Sequence, residues 1–132
     1  MRVLLVGDGD DAAGLADGPG GEGIVLERRL DDVNPASGPD EIGALARALR
    51  EFEGSLGGGG PDAVLVASDS SAALAAVLVA TKLGTPVASV ERAGHERAGV
   101  NARLIRLLSD AQLAADSPAL VGWLRDTYTE QP

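Results

Sequence analysis

The sequence contains no cysteine and few basic side chains. The absence of cysteine excludes disulfide bonds, thiolate catalysis and zinc–thiolate sites. Lysine and arginine number 11 against 20 aspartates and glutamates, which gives a formal net charge of −9 at pH 7. Binding that depends on neutralising nucleic-acid phosphates is therefore excluded, and we expect no nucleic-acid partner.

Aromatic residues are also scarce, at 2% of the chain. The core must be built from leucine, valine and alanine, whose small side chains each bury little area. Even so, an apolar share of 45% over 132 residues is enough for a packed core. A chain of this length is expected to form one domain over residues 1–132.

Long apolar runs are absent as well. The N-terminus carries only VLLV at residues 3–6 before acidic residues, which matches neither a signal peptide nor a membrane span. We expect a cytoplasmic protein without a membrane partner.

Short apolar runs alternate with helical segments along the chain. Strands are predicted at residues 2–6, 24–26, 63–67, 87–90 and 111–115, and helices at 39–56, 72–83, 100–108 and from 117 onward. Continuous apolar runs are typical of parallel strands that are covered on both faces. The pattern predicts an α/β fold of the Rossmann-like, doubly wound type, with a mostly parallel sheet of about five strands and helices on both faces.

Three segments need separate comment on their assignment, burial or orientation. Residues 8–23 are too glycine-rich for an assignment. The helix at 72–83 is apolar nearly all round, so it is either a central buried helix, which we favour, or part of a subunit interface. The helix at 100–108 is expected to turn inward its four large aliphatic residues, Leu104, Ile105, Leu107 and Leu108.

Right-handed crossovers place the turns after the strands at one edge of the sheet, where such folds bind ligands. The first of these turns begins Gly7-x-Gly9-x-x-Ala12, a loose match to the dinucleotide fingerprint. Its three aspartates would repel a pyrophosphate, and they lack the later ligands of a calcium loop. A solvated acidic turn is the better interpretation, so we predict neither a cofactor nor a metal site.

The next two turns hold the candidate chemistry. Asp69 and Glu91 end neighbouring predicted strands about 4.8 Å apart, so the two carboxylates could work as acid and base, although rim carboxylates are common in acidic domains. His95 is either an idle loop residue or a phosphate or sugar contact. The ligand-binding candidates are Gly7, Ser68, Ser70, Ser71, His95 and Arg97. Simple helix capping would also explain at least one of the serines.

Residues 61–125 carry a further pattern. Residues 61–76 read PDAVLVASDSSAALAA, residues 83–91 read LGTPVASVE, and NARLI and LSD follow at 101–105 and 108–110. These runs resemble the "PDxVLVxGD", "LGIPVxHVEAG" and "NRRLIDxLSD" motifs in the N-terminal domain of non-hydrolysing UDP-N-acetylglucosamine 2-epimerases. The resemblance implies a Rossmann-like half of a two-domain, glycosyltransferase B type isomerase, with Asp69 and Glu91 in its catalytic acid/base group.

Several positions depart from these motifs. Ser68 replaces a glycine, Arg92 interrupts "EAG", residues 98–100 replace "PEE", and residues 7–11 replace a "GTRPE" turn. The family's second domain, which holds most of UDP, has no counterpart within these 132 residues, so we expect little catalysis by this chain alone.

The sequence leaves three functions open. The first is a non-catalytic binding, assembly or regulatory module for a UDP-sugar or another nucleotide. The second is one subunit of a split epimerase, with a separate chain binding UDP. The third, a redox or dinucleotide domain, depends on the first turn alone. We also expect a homo-oligomer, such as a homodimer, or a separate partner chain.

Overall fold

A computed structural model describes residues 1–7, 23–29, 39–91, 99–115 and 117–130. From residue 25 onward, strands and helices alternate along these ranges, as the sequence predicts. The elements are β1 (Arg2–Gly7), β2 (Val25–Arg29), α1 (Pro39–Leu56), β3 (Ala63–Ala67), α2 (Ser71–Leu83), β4 (Val87–Glu91), α3 (Val100–Leu108), β5 (Ala111–Ala114) and α4 (Ser117–Glu130).

The strands form one sheet in the order β2-β1-β3-β4-β5, and all four neighbouring pairs are parallel. The strand order reverses at β1, because β2 lies on one side of it and β3 on the other. Residues of β1 and β3 pair directly, from Val3 with Ala63 to Gly7 with Ala67. The predicted Rossmann-like parallel sheet is therefore confirmed.

Alternate residues of the strands enter two separate apolar layers. One layer joins Leu4, Val64 and Val87 to α1, α2 and α3, with the fully buried Phe52 on α1. The other joins Val3, Leu65 and Val90 to α4 through Leu120 and Leu124. Helices thus cover both faces, which explains why the central strand β3 is apolar at every position. None of the described helices has the length and apolarity needed to cross a bilayer.

The second strand is longer than the sequence predicts, because it continues through the charged residues to Arg29. It lies at the edge of the sheet, where a charged side chain reaches water. The Glu27 carboxylate accepts a hydrogen bond of 2.8 Å from the Arg2 guanidinium. That bond and the charge of Glu27 raise the pKa of Arg2. Charge therefore does not end a strand at this edge.

The helix α2 lies in the middle of its layer. It packs between α1 and α3, and residues 73–77 are buried. Ser70 caps its start, and Gly84 ends it with a φ of 76°, in the left-handed region that favours glycine. The first alternative for this segment, a central buried helix, is the correct one.

The orientation predicted for α3 is wrong at two positions. Ile105 is buried and Leu108 packs against the core, but Leu104 and Leu107 are exposed. This nine-residue helix packs mainly against α2, so only part of its circumference is covered. Apolar side chains that point away from α2 and the sheet consequently face solvent.

Candidate functional site

The carboxyl ends of the three central strands form the candidate site. Gly7 ends β1, the turn from Ser68 to Ser70 follows β3, and Glu91 ends β4. Because these strands are parallel neighbours, the three segments lie along the same edge of the sheet. The reversal of strand order falls between β1 and β3, and this is the position at which open α/β sheets bind ligands.

Gly7 and Ser68 are in close contact at that position. Gly7 has a φ of 110°, and a Cβ added to it would lie 2.7 Å from the Cβ of Ser68 and 3.0 Å from the carbonyl carbon of Ala67. Both features require glycine. The predicted ligand-binding role of Gly7 is therefore accompanied by a structural one that the sequence did not reveal.

The serines of the β3–α2 turn hold its shape. The backbone N–H of Ser70 donates to the hydroxyl of Ser68 at 3.1 Å, and the N–H of Ala73 donates to the hydroxyl of Ser70 at 3.0 Å. The second bond is a helix N-cap. Both hydroxyls keep their protons available as donors, and half-buried Ser71 begins the helix.

Asp69 lies exposed between Ser68 and the N-cap residue Ser70. The side-chain amide of Asn101, near the start of α3, donates to the backbone carbonyl of Asp69 at 3.1 Å. This bond connects the β3–α2 turn to α3 and leaves the Asp69 carboxylate at the exposed carboxyl edge of the sheet. The N-terminus of α2 adjoins it, with its backbone N–H groups directed toward the same edge.

Glu91 faces the helix layer formed by α1, α2 and α3. Alternation along β4 puts its side chain on the same face as Val87, and its Oε1 atom lies 3.4 Å from Nη1 of Arg106 on α3. The two side chains are 29% and 31% exposed, so the ion pair is partly shielded from water. Sequence analysis missed Arg106, because its contact with Glu91 depends on how α3 crosses the sheet.

Asp69 and Glu91 thus follow adjacent strands at one edge. Val66 pairs with Ser89, which sets Glu91 level with Ser68 and one residue short of Asp69. This placement is compatible with the predicted carboxylate pair, whose joint action stays a prediction. His95 and Arg97 lie outside the described residues. Within the described part of the chain, no three His, Cys, Asp or Glu side chains gather as a metal site would require.

Ser109 and Asp110, in the LSD run, lie away from the carboxyl edge of the sheet and have structural roles. The Val87 N–H donates to the Asp110 carboxylate at 2.9 Å, and the Asp110 N–H donates to the Val87 carbonyl at 2.8 Å. Ser109 donates from its hydroxyl to the Ile105 carbonyl at 2.6 Å and ends α3. The LSD run at 108–110 therefore joins α3 and β5 to the start of β4 at the opposite edge.

Ser89 is a buried polar residue that sequence analysis treated as an ordinary strand residue. Its side chain is 2% exposed, and its hydroxyl has no hydrogen-bond partner among the described residues. It lies on the same face of β4 as Glu91, one pleat farther into the sheet. A buried hydroxyl without a partner costs about 1–3 kcal/mol of stability.

Solved structures with the same fold include UDP-GlcNAc 2-epimerases and a UDP complex. The enzyme from Neisseria meningitidis bound to UDP-GlcNAc is 20% identical at a TM-score of 0.64, over 95% of this chain and 43% of that one. The Methanocaldococcus jannaschii enzyme in complex with UDP-GlcNAc and UDP is 20% identical at 0.67, over 96% and 43%. The S. aureus MnaA–UDP structure is 18% identical at 0.67, over 98% and 42%.

These similarities establish a shared fold. The chain spans less than half the length of each of these structures. No protein-family model and no curated protein sequence matches it. The expected likeness to one part of a larger UDP-GlcNAc 2-epimerase is thereby confirmed for the architecture.

Proposed function

We propose that this domain binds a UDP-sugar of the UDP-N-acetylglucosamine class at the carboxyl edge of its sheet and is not catalytic alone. The observation that carries the proposal is the structural match over 95–98% of the chain to proteins solved with UDP-GlcNAc or UDP. The edge that holds Gly7, Ser68 and Glu91 is the ligand-binding edge of such folds.

The described groups at this edge suit a hydroxylated, anionic ligand. Ser68 and Ser70 offer hydroxyl donors, and the exposed Asp69 carboxylate can accept hydrogen bonds from sugar hydroxyls. The N-terminus of α2 favours negative charge. Arg106 supplies a guanidinium close to Glu91, which offsets part of the repulsion between the carboxylates and a diphosphate.

Two features argue against catalysis by the domain alone. The Glu91 carboxylate contacts the Arg106 guanidinium at 3.4 Å, and this contact would have to break before Glu91 could reach a proton on a bound sugar. The chain also corresponds to only 42–43% of the matched structures. Groups from outside this domain are then needed to surround the reacting sugar and exclude water.

The same coverage favours a second candidate function, that of one subunit of a split epimerase. In that case a separate chain supplies the other part of the nucleotide site. Asp69 and Glu91 act as its acid/base pair, and the Arg106 ion pair rearranges when the two chains close over the substrate. The two candidates differ in whether turnover appears when such a chain is added.

Thermal denaturation with UDP, UDP-GlcNAc and NAD tests ligand binding, because a ligand that binds only the folded state raises its stability. We expect UDP-GlcNAc and UDP to raise the melting temperature in a saturable way and NAD to leave it unchanged. Calorimetric titration then gives the affinity. A melting temperature that none of these ligands changes, together with no heat of binding, would refute the proposal.

Matched variants test whether the ligand binds at the carboxyl edge of the sheet. Asp69→Asn and Glu91→Gln are expected to change UDP-GlcNAc affinity at least about fivefold. Asp126→Asn on α4 and Glu53→Gln on α1 neutralise exposed carboxylates elsewhere and are expected to leave it unchanged. Equal effects of all four would indicate a general charge effect and contradict the assignment. Epimerisation of UDP-GlcNAc by the purified domain alone would contradict the non-catalytic role.

A further inference from the structure

Ser89 and Glu91 lie next to each other on the face of β4 that is turned toward α1, α2 and α3. The Ser89 hydroxyl is buried and has no hydrogen-bond partner among the described residues. Residues two apart on a strand share a face and lie about 6.6 Å from each other. The glutamate side chain is long enough to turn back along the strand and bring a carboxylate oxygen to this hydroxyl. Ser89 is therefore a second hydrogen-bond donor within reach of Glu91.

The contact between Glu91 and Arg106 is a weak one. Its length of 3.4 Å exceeds the roughly 2.7–2.9 Å of a good charge-assisted hydrogen bond. The two side chains are 29% and 31% exposed, and water screens an ion pair of this kind. A hydrogen bond from Ser89 to the carboxylate would satisfy the buried hydroxyl, whereas desolvation of the carboxylate opposes that change. The two positions of Glu91 consequently differ little in free energy.

We propose that Glu91 exchanges between two partners, Arg106 and Ser89, and that its turn toward Ser89 lets Nη1 of Arg106 donate to a phosphate of the ligand. A guanidinium suits this role, because its planar donors match the geometry of phosphate oxygens. The phosphate part of the inference rests on the proposed function, since it takes the diphosphate of a UDP-sugar as the ligand group. Arg106 is then a binding residue, and Glu91 controls access to it.

The other charges at the carboxyl edge explain why the exchange matters. Asp69 is exposed there and Glu91 ends β4, so an approaching diphosphate meets two carboxylates. When Glu91 turns inward, the phosphate takes the place of its carboxylate beside Arg106. One negative partner of the guanidinium is thereby replaced by another, and like charges are kept apart.

Both partners of Glu91 depart from the motifs that this chain resembles. Position 89 is histidine in "HVEAG" and position 106 is aspartate in "NRRLID", whereas this chain has Ser89 and Arg106. An aspartate at position 106 would repel both Glu91 and a phosphate. The two-partner arrangement therefore belongs to this chain and does not follow from the motifs.

A test without ligand follows Ser89→Ala in two backgrounds by urea denaturation. In the wild type the hydroxyl has no described partner, and its removal is expected to raise the midpoint by about 0.5 M. In an Arg106→Met background Glu91 turns to Ser89, so Ser89→Ala is expected to lower the midpoint by about as much. Ser55→Ala on α1 removes an exposed hydroxyl that donates to the Glu51 carbonyl and is expected to act equally in both backgrounds.

A crystal structure of the Arg106→Met variant shows the second position directly. A carboxylate oxygen of Glu91 is expected within about 3 Å of the Ser89 hydroxyl oxygen. Circular dichroism confirms that each variant is folded. A Glu91 side chain that still points toward α3 in this variant would contradict the exchange.

Calorimetric titration with inorganic pyrophosphate, which represents the diphosphate, tests the role of Arg106. Arg106→Met is expected to weaken binding at least about tenfold and Arg106→Lys less. Arg103→Met removes an exposed arginine of the same helix and is expected to change binding less than about twofold. Ser89→Ala is expected to weaken binding about fivefold although it stabilises the fold, because it removes the partner that keeps Glu91 away from Arg106.

The outcomes separate the parts of the inference. A Ser89→Ala effect of the same sign in both backgrounds excludes Ser89 as the second partner. Equal losses of pyrophosphate affinity in Arg106→Met and Arg103→Met, or no binding by the wild type up to about 10 mM, exclude Arg106 as a phosphate-binding residue. Arg106-dependent pyrophosphate binding by a wild-type chain that does not bind UDP-GlcNAc would refute the proposed function and support the inference.

Discussion

Replacement of Gly7 by alanine tests whether the end of β1 is shaped by packing. The new Cβ would meet the Cβ of Ser68 at 2.7 Å and the Ala67 carbonyl carbon at 3.0 Å, at a φ of 110° that residues other than glycine rarely adopt. Backbone strain of this kind costs about 1–3 kcal/mol, and overpacking costs about 1–3 kcal/mol more. We expect Gly7→Ala to lose about 2–6 kcal/mol of the free energy of unfolding.

Urea denaturation measures this loss, with circular dichroism and the fluorescence of Trp123, the single tryptophan, as signals. At an m-value of about 2 kcal/mol/M, a loss of 3 kcal/mol lowers the midpoint by about 1.5 M. The matched control is Gly54→Ala in α1, where no described atom beyond the neighbouring residues and the backbone of the same helix lies within 4 Å of the added Cβ. That substitution is expected to stabilise the fold by about 0.5–1 kcal/mol.

A double variant separates the close contact from the backbone strain. In a Ser68→Gly background the 2.7 Å contact is absent, whereas the positive φ of Gly7 remains. We expect Gly7→Ala to cost about 1 kcal/mol less there than in the wild type. A loss below about 1 kcal/mol for Gly7→Ala in the wild type would refute the packing role and leave Gly7 with a ligand role only.

Three further substitutions test the core and the sheet by the same denaturation assay. Ser89→Ala removes a buried hydroxyl without a described partner and is expected to stabilise by about 1 kcal/mol; destabilisation would show that the hydroxyl is bonded. Asp110→Ala removes the carboxylate bond to Val87 and is expected to cost about 1–2 kcal/mol, whereas no change would contradict its role at the start of β4. Phe52→Ala removes the largest side chain that is fully buried among the described residues and is expected to cost about 3–5 kcal/mol; a smaller loss would mean that α1 collapses onto the cavity.

The sequence predicts the central strands well because their burial leaves one interpretation. Residues 63–67 are apolar at every position and buried at every position, so a parallel strand with two covered faces is the simplest solution. The end of β2 is harder to predict, because an edge strand tolerates charge. Arg29 belongs to that strand although local composition favours a turn.

The orientation of α3 could not be predicted for a different reason. Its large aliphatic side chains occur in adjacent pairs, and a nine-residue helix has too few turns for one face to dominate. Which member of each pair is buried depends on the neighbouring helix, here α2, and thus on tertiary packing.

In the candidate site, too, the sequence predicts the placement that follows from sheet topology and misses the contacts that depend on tertiary packing. Parallel topology alone places Asp69 and Glu91 at one edge, and the sequence is sufficient for that. The contact between Glu91 and Arg106 depends on the orientation of α3, and the contact between Gly7 and Ser68 depends on the approach of β1 to β3. Neither is encoded by local spacing.

The central position of β1 has a consequence for how the chain folds during synthesis. Residues 2–7 can pair with β3 only after Ala63–Ala67 has been synthesised. Until then the apolar run VLLV at residues 3–6 stays exposed on that side, and three of the five strands of the sheet are still to be made. Pairing over such a sequence separation is slow, and unpaired apolar strands associate between chains. Fragments that stop before β3 should therefore precipitate, whereas the whole chain conceals its N-terminal strand within the sheet.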